Sequence, residues 1–209
     1  VLLEYIAVVS AAIAGVTVVG ILLALTLGRQ PIARYFSATT PVWAIALSTQ
    51  SSIASLPAML EAARGGLRIP ERIGDIILPL AVAVFRFTSP VGNLAVVFFI
   101  AHLYGFQPSM LQIASAVFVS YGVSIGAVGL PGQVSYITSI APIGLALGVP
   151  IELLGILIAV EVIPDIFRTL GNCAGDLAIT SILARNEKAT ALDAPPLASA
   201  FCRSAPGST

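Results

Sequence analysis

The sequence predicts an all-α membrane protein: an inverted repeat of a re-entrant helical hairpin plus a transmembrane helix, preceded by one transmembrane helix. Of its 209 residues, 57% are hydrophobic and 10% charged, with a mean hydropathy of +1.00. A soluble domain of this length needs far more charge to cover its surface. Long apolar runs also alternate with shorter, interrupted ones, and the basic residues fall on one side of the resulting layout.

Composition excludes several classes of function. The formal net charge is zero, and no basic stripe with interleaved aromatic residues indicates a nucleic-acid partner. Cys173 and Cys202 are too few and too distant for a disulfide framework, and His102 is the single histidine, so no metal or other cofactor is predicted from these residues. Because the chain enters an apolar run directly at Val1, without a basic region, it is interpreted as a piece of a longer protein rather than as a signal peptide.

The first half begins with a span and a hairpin. Residues 2–27 form an uninterrupted apolar run, longer than the roughly 20 residues that a membrane-crossing helix needs. Residues 28–31 end it. Residues 41–63 consist of two apolar pieces separated by the polar run at 48–52. Each piece is too short to span, which predicts a hairpin that enters the membrane and returns.

The next segment and the second hairpin repeat this order. Residues 73–103 are long enough to span, but Pro90 removes a backbone donor and disfavours helix at the residue before it, so a break is predicted near 86–90. Residues 111–147 form a second predicted hairpin with a glycine-rich tip at 126–132. Interrupted segments in corresponding positions of two halves indicate a transporter binding site near the membrane midplane.

Residues 151–183 are the last predicted span, and the Ala/Pro/Ser-rich residues 186–209 are predicted to be a disordered cytoplasmic tail. The loops at 102–109 and 142–150 contain no Lys or Arg. By the positive-inside rule, the opposite, basic side is cytoplasmic, which predicts a multi-pass protein of the cell (cytoplasmic) membrane. That side carries seven basic residues: Arg29, Arg34, Arg64, Arg68, Arg72, Arg185 and Lys188.

A polar stripe runs along the last predicted span. Its members fall at positions i, i+4, i+7 and i+11 and therefore share one helix face, with Arg168 at its edge. They are Asp165, Thr169, Asn172 and Asp176. One interpretation is that Asp165 and Arg168 simply neutralise each other; the other is a solute or ion pathway, because ionisable groups within a membrane are costly. A carboxylate can hold an ammonium group, a guanidinium a carboxylate, and Asn and Asp oxygens a small cation.

These five residues match the pattern Asp-x-x-Arg-Thr-x-x-Asn-x-x-x-Asp. In this the chain resembles the last transmembrane helix of the sodium:dicarboxylate (glutamate/aspartate) symporter family. Further likeness lies at Ser51-Ser52, at residues 78–80 and at residues 124–132, so that it extends over about residues 4–187. The family is itself an example of inverted-repeat architecture, so the two arguments are not independent.

The resemblance implies a symporter, not an enzyme, that carries acidic amino acids or dicarboxylates by alternating access. Asp165 would hold an α-amino group, Arg168 a side-chain carboxylate, and Thr169 and Asn172 would help to bind the solute. Asn172 and Asp176 would contribute to a sodium site. The hairpin tips would supply backbone groups and act as gates: Ser51, Ser52, Leu130, Pro131 and Gly132. The complete protein would be a homotrimer in the lipid bilayer, and this chain most of its transport domain.

The sequence departs from the family in its third segment. There the family pattern reads Asn-Met-Asp-Gly-Thr, whereas this chain has Phe85-Arg86-Phe87-Thr88-Ser89. Two oxygen donors are thus replaced by phenylalanine, and the threonine expected in the second hairpin is Ala127. Gln133 and Val134 also stand where small residues are usual. Sodium coordination by side chains is therefore predicted to be reduced.

Arg86 has three interpretations: a lipid-facing arginine, a built-in cation near Asp176 or Asp165 that replaces a lost sodium ion, or a second substrate anchor for a more anionic solute. The second predicts weak sodium dependence, with proton coupling or exchange. The hydroxyl run at 48–52 can also be read as hairpin capping. Further alternatives are a passive channel, a non-transporting membrane module and an intramembrane protease. The protease is disfavoured because Asp165 and Asp176 lie on one helix and His102 at a loop edge.

Overall fold

The computed structural model describes residues 1–126 and 132–193, and that part of the chain is helical, with no strand. Its α-helices are α1 Leu2–Thr26, α2 Ile32–Thr49, α3 Leu56–Glu61, α4 Glu71–Val84, α5 Ser89–Leu103, α6 Met110–Gly126, α7 Gly132–Leu147, α8 Leu154–Leu157 and α9 Val162–Asp193. A π-helical turn, Ala62–Gly66, follows α3. The all-α class predicted from composition agrees with this architecture.

Within the described residues, two stretches are long and apolar enough to cross a membrane: Leu2–Thr26 and Glu71–Leu103, the latter comprising α4 and α5. α1 buries a narrow stripe that includes Tyr5, Val9 and Ile13. Much of its remaining surface is exposed and apolar, which suits lipid rather than water.

The first hairpin region differs from its predicted bounds of 41–63, because α2 begins at Ile32 and contains Pro41. The polar residues before Pro41 resemble a linker in sequence. In the structure the Thr39 hydroxyl donates to the Tyr35 carbonyl (2.9 Å) and the Thr40 hydroxyl to the Phe36 carbonyl (2.7 Å). Hydroxyls that bond back along the helix in this way remain compatible with helix.

The segment predicted as one span over 151–183 is divided. α8 is a single short helix, and α9 begins only at Val162, with Pro164 in its first turn. Proline lacks an N–H and clashes with the carbonyl four residues earlier, so a continuous helix through 160–164 is disfavoured. α9 then continues to Asp193, so the first residues of the predicted disordered tail are helical, while 194–209 lie outside the described residues.

In the part of the chain that the structure describes, buried apolar side chains form two clusters. One joins the C-terminal half of α1 to α2, α3, α4 and α9, and the other joins the N-terminal half of α1 to α5, α6, α7 and α8. Arg168, Thr169 and Asn172 are buried but belong to neither cluster. Arg168 and Asn172 contact Thr88 in the gap between α4 and α5, and this polar region between two apolar cores contains the candidate site.

Candidate functional site

The gap between α4 and α5 is held by α9. The Thr88 N–H donates to Asn172 Oδ1 (2.9 Å), and the Thr88 hydroxyl lies 2.9 Å from both Asn172 Oδ1 and the Arg168 carbonyl oxygen. Asn172 Nδ2 donates to Ser89 Oγ (3.1 Å). Backbone groups freed by a helix break within a membrane need such partners. Asn172, predicted as a substrate and sodium ligand, therefore fixes the break in this structure.

Arg168 is buried and paired with two carboxylates of its own helix region. Its Nη2 lies 2.8 Å from Glu161 Oε1, and its Nη1 donates to Asp165 Oδ1 at 3.3 Å. The Tyr5 hydroxyl donates to the other oxygen of Glu161 and lies 3.2 Å from the Tyr136 hydroxyl. The simple Asp165–Arg168 pairing considered from sequence is thus present, but Glu161 is the nearer partner. This network joins α1, α7 and α9.

Arg168 also rests against the backbone of α5. A Cβ atom at Gly92 would lie 3.1 Å from Arg168 Nε and 3.2 Å from Nη2. Arg168 Nε is buried without a hydrogen-bond partner among the described residues. Because glycine leaves this space free, the guanidinium is placed directly behind the helix break, with donor capacity still available.

Arg86 lies in the break itself. It is half-buried, its backbone is left-handed (φ 34), and its Nε donates to Ser89 Oγ (3.2 Å). It is within electrostatic range of the carboxylates of Asp165 and Asp176 and of the like-charged Arg168. Asp176 is 1% exposed, and its Oδ1 has no hydrogen-bond partner among the described residues. A buried carboxylate oxygen without a donor needs a nearby cation or a proton.

Two aromatic rings flank Arg86 in sequence. Phe85 and Phe87 are stacked, with centroids 5.5 Å apart and planes 17° apart. Phe87 lies in a notch between α1 and α9: a Cβ at Gly175 would be 2.7 Å from Phe87 Cβ, and one at Gly20 would be 2.9 Å from Phe87 Cε1. The positions at which the family pattern has oxygen donors thus hold two stacked rings, of which Phe87 packs between helices and Phe85 is 40% exposed.

The turn between α2 and α3 contains Ser51 and Ser52, both half-buried. Ser51 Oγ accepts the Ala54 N–H (3.2 Å), and the Ser51 carbonyl accepts the Ser55 N–H (3.1 Å) and hydroxyl (2.9 Å). These bonds are the capping contacts considered from sequence. Met59 of α3, the helix after this turn, belongs to the same buried apolar cluster as Cys173 of α9, the helix that carries the polar stripe.

The region predicted as the second hairpin, 111–147, is described only in part. Leu130 and Pro131 lie outside the described residues, and Gly132 begins α7. α6 and α7 pack against each other and against α5. The Ser120 hydroxyl of α6 donates to the Pro90 carbonyl (2.9 Å), which links this region to the start of α5.

Three side chains at the site were not predicted from sequence: Glu161 as the partner of Arg168, and the two tyrosines that hold it. Glu161 begins the polar stripe four residues before Asp165, so its helix face was visible in the sequence. Tyr5 and Tyr136 carry hydroxyls in apolar runs, and buried tyrosine hydroxyls usually have a partner. That rule indicates a polar contact for each but does not identify it.

The sequence model of the sodium:dicarboxylate symporter family matches residues 1–186. The chain belongs to this family. The resemblance inferred from the motif on α9 is thereby confirmed. The family consists of transporters, so membership places the chain in a membrane.

Individual proteins similar to this chain have names that describe amino acid transporters. Excitatory amino acid transporter 3 of Mus musculus is 32% identical over 143 residues, which is 68% of this chain and 27% of that protein. Neutral amino acid transporter A of Homo sapiens is 32% identical over 149 residues, 71% of this chain and 28% of the relative. A putative sodium-dependent excitatory amino acid transporter, glt-4, of Caenorhabditis elegans is 26% identical over 164 residues, 78% of this chain and 32% of the relative. The chain thus spans less than a third of the length of each.

Proposed function

We propose that this chain forms most of the transport domain of a secondary active transporter that carries an acidic amino acid or dicarboxylate across the cytoplasmic membrane by alternating access. The observation that carries the proposal is the placement of Arg168 behind the break between α4 and α5, with Asp165 in contact with it at 3.3 Å. In this transport domain, the regions predicted as hairpins at 41–63 and 111–147 enter the membrane from opposite sides and act as gates. The complete protein is a homotrimer.

The chemistry follows from the pairing of Arg168. A guanidinium binds a carboxylate through two parallel hydrogen bonds, and Arg168 already holds one carboxylate oxygen of Glu161 at 2.8 Å. A substrate carboxylate would replace Glu161 at this position. Asp165 would then be available to the substrate ammonium group, while Thr169, whose hydroxyl now bonds to the Asp165 carbonyl (2.9 Å), lies one turn further along the same face.

Sodium coupling in this proposal is weakened or replaced. Phe85 and Phe87 supply no oxygen ligand, and Asn172 Oδ1 already accepts the Thr88 N–H. Asp176 retains an oxygen without a donor, but Arg86 supplies positive charge in its neighbourhood. The second candidate is therefore a proton-coupled or exchange carrier of a more anionic solute, with Arg86 as an additional anchor.

Calorimetry of the intact protein tests the site. Asp165→Asn removes the proposed partner of the ammonium group, and a lost charged hydrogen bond is worth about 1.5–3 kcal/mol, so aspartate and glutamate should bind about 10–100-fold more weakly. Succinate and malate, which lack the ammonium group, should change much less. The matched control is Glu152→Gln at an exposed carboxylate. Equal losses for all four solutes would contradict the assigned role of Asp165.

Uptake into proteoliposomes separates a carrier from the other membrane functions. Concentrative, saturable uptake of labelled aspartate or succinate supports the proposal. Leak without saturation would indicate a channel. Binding without any uptake would indicate a module that does not transport by itself.

A further inference from the structure

A second polar cavity lies away from the candidate site, where the C-terminal end of α1 meets α2, the residues after the π-helical turn, and α9. Its volume is about 250 Å³. Pockets for drug-sized ligands are usually about 300–1,000 Å³, so this one suits a small group. Its described lining contains no acidic residue, and its polar side chains are Arg29, Arg34, Arg68, Arg185, Gln30 and Ser181.

Two of the arginines adopt a backbone conformation that usually requires glycine. Arg29 (φ 51) follows the end of α1, and Arg68 (φ 55) follows the π-helical turn. Glycine or asparagine normally occupies such left-handed positions after a helix, and other residues there cost conformational energy. Both positions instead carry arginines that line the cavity.

The charge around the cavity is strongly unbalanced. Two helical C-termini contribute about −0.5 each, against four guanidinium groups, which leaves an excess of about +3. Arg185 Nη1 donates to the Leu27 carbonyl (2.8 Å) and so caps α1. Among the described residues, Arg29, Arg34 and Arg68 have no carboxylate within ion-pair distance. Like charges gathered in one concave space repel each other, and an anion between them relieves that repulsion.

We propose that this cavity binds the phosphoryl group of an anionic ligand. The planar guanidinium fork matches phosphate oxygens geometrically, and several arginines converge on one small space. The cavity lies at the end of the molecule that the distribution of basic residues assigns to the cytoplasm. Basic pockets between transmembrane helices on that side bind anionic lipid headgroups. The two sources of this chemistry are a membrane phospholipid and free phosphate. The site is separate from the proposed substrate site, so either proposal can fail without the other.

The test compares binding of phosphatidylglycerol, phosphatidylcholine and inorganic phosphate to the intact protein in detergent, by native mass spectrometry and by the midpoint of thermal unfolding. Arg34→Gln and Arg68→Asn each remove one cation, and asparagine tolerates the left-handed backbone of Arg68. Each basic residue near an anionic surface contributes enough for about a fivefold change in affinity. We expect phosphatidylglycerol to bind about fivefold more weakly to either variant, and about 25-fold more weakly to the double variant.

Arg64→Gln is the matched control, because Arg64 is an exposed arginine on the same predicted side, paired with Asp75 at 2.6 Å and outside the cavity. It should change phosphatidylglycerol binding less than twofold. Phosphate binding that the cavity variants weaken would identify free phosphate as the source, whereas an effect confined to phosphatidylglycerol would identify a lipid headgroup. Equal losses in Arg64→Gln and the cavity variants, or unchanged binding in all, would overturn the proposal. If Arg34→Gln does not fold, Arg29→Asn replaces it with the same expectation.

Discussion

Two arginines lie at the break between α4 and α5, Arg86 within it and Arg168 behind it, and they are neutralised in different ways. Arg168 is buried and has carboxylates of Glu161 and Asp165 at 2.8 and 3.3 Å. Arg86 is half-buried, and among the described residues its hydrogen bond goes to a neutral hydroxyl, Ser89 Oγ. Its carboxylate neighbours act over a longer distance, including Asp176 with its unpaired oxygen.

The difference suggests two roles. An arginine with carboxylates in direct contact can exchange one of them for the carboxylate of a solute with little change in local charge. An arginine that balances a buried carboxylate from a distance, in a break flanked by Phe85 and Phe87, resembles a fixed counter-charge. We therefore interpret Arg168 as the substrate anchor and Arg86 as the built-in replacement for a sodium ion.

The largest expected effect separates the two arginines directly. Arg168→Met removes the anchor, and truncating one partner of a buried, hydrogen-bonded charge pair costs about 2–5 kcal/mol of binding free energy. Aspartate binding should fall by at least about 30-fold. Arg86→Met should leave the affinity in saturating sodium, and the order of preference among anions, within about threefold. Calorimetry with aspartate, malate and succinate measures both.

The comparison fails if Arg86→Met selectively weakens doubly charged solutes, because Arg86 would then be a second anchor. Arg86→Lys is the control that retains the charge. It should behave like the parent protein in both measurements.

A smaller effect concerns the ring beside Arg86. Gly175→Ala places a methyl group 2.7 Å from Phe87 Cβ, and overpacking of this kind costs about 1–3 kcal/mol. The free energy of unfolding should fall by that amount in a denaturant titration. Gly15→Ala is the matched control, because no atom lies within 4 Å of its added Cβ; a small gain from helix propensity, up to about 1 kcal/mol, is expected there. Equal changes in the two variants would show that Phe87 does not fill the notch tightly.

The smallest expected effect concerns the carboxylate that occupies Arg168. Glu161→Gln keeps the shape that accepts the Tyr5 hydroxyl but removes the charge that competes with a solute. A hydrogen bond to a charged acceptor contributes about 1 kcal/mol more than one to a neutral acceptor, so the amide competes less and acidic solutes should bind about fivefold more tightly. Titration calorimetry beside Glu152→Gln measures the change. Weaker binding would show that Glu161 supports the anchor rather than competing for it.

Sequence reasoning located the features that depend on neighbours along the chain. The spacing of Asp165, Arg168 and Asn172 fixes one helix face wherever that helix packs, and Pro90 disfavours helix at the residue before it. The break lies at residues 85–88, just before Pro90. Such local constraints need no knowledge of the tertiary structure.

Contacts between distant segments were beyond such reasoning. Tyr5 and Glu161 are separated by 156 positions, and nothing near either residue identifies the other. The hairpin was predicted to begin at residue 41, but α2 begins at Ile32. The sequence does not show whether the hydroxyls of Thr39 and Thr40 bond back to helix carbonyls or belong to a linker, and in the structure they bond back. The last predicted span is divided before Pro164, which lies in the first turn of α9. Hydropathy alone does not show this division, because the residues on both sides of it are apolar.

The most direct test of the central claim, that Arg86 stands in for a sodium ion, is the sodium dependence of aspartate uptake in proteoliposomes made with the intact protein and with Arg86→Met. Replacing sodium by choline should leave uptake by the parent protein within about twofold. The Arg86→Met protein, whose Asp176 carboxylate has lost its counter-charge, should require sodium for uptake. A collapse of parent uptake without sodium would contradict the account.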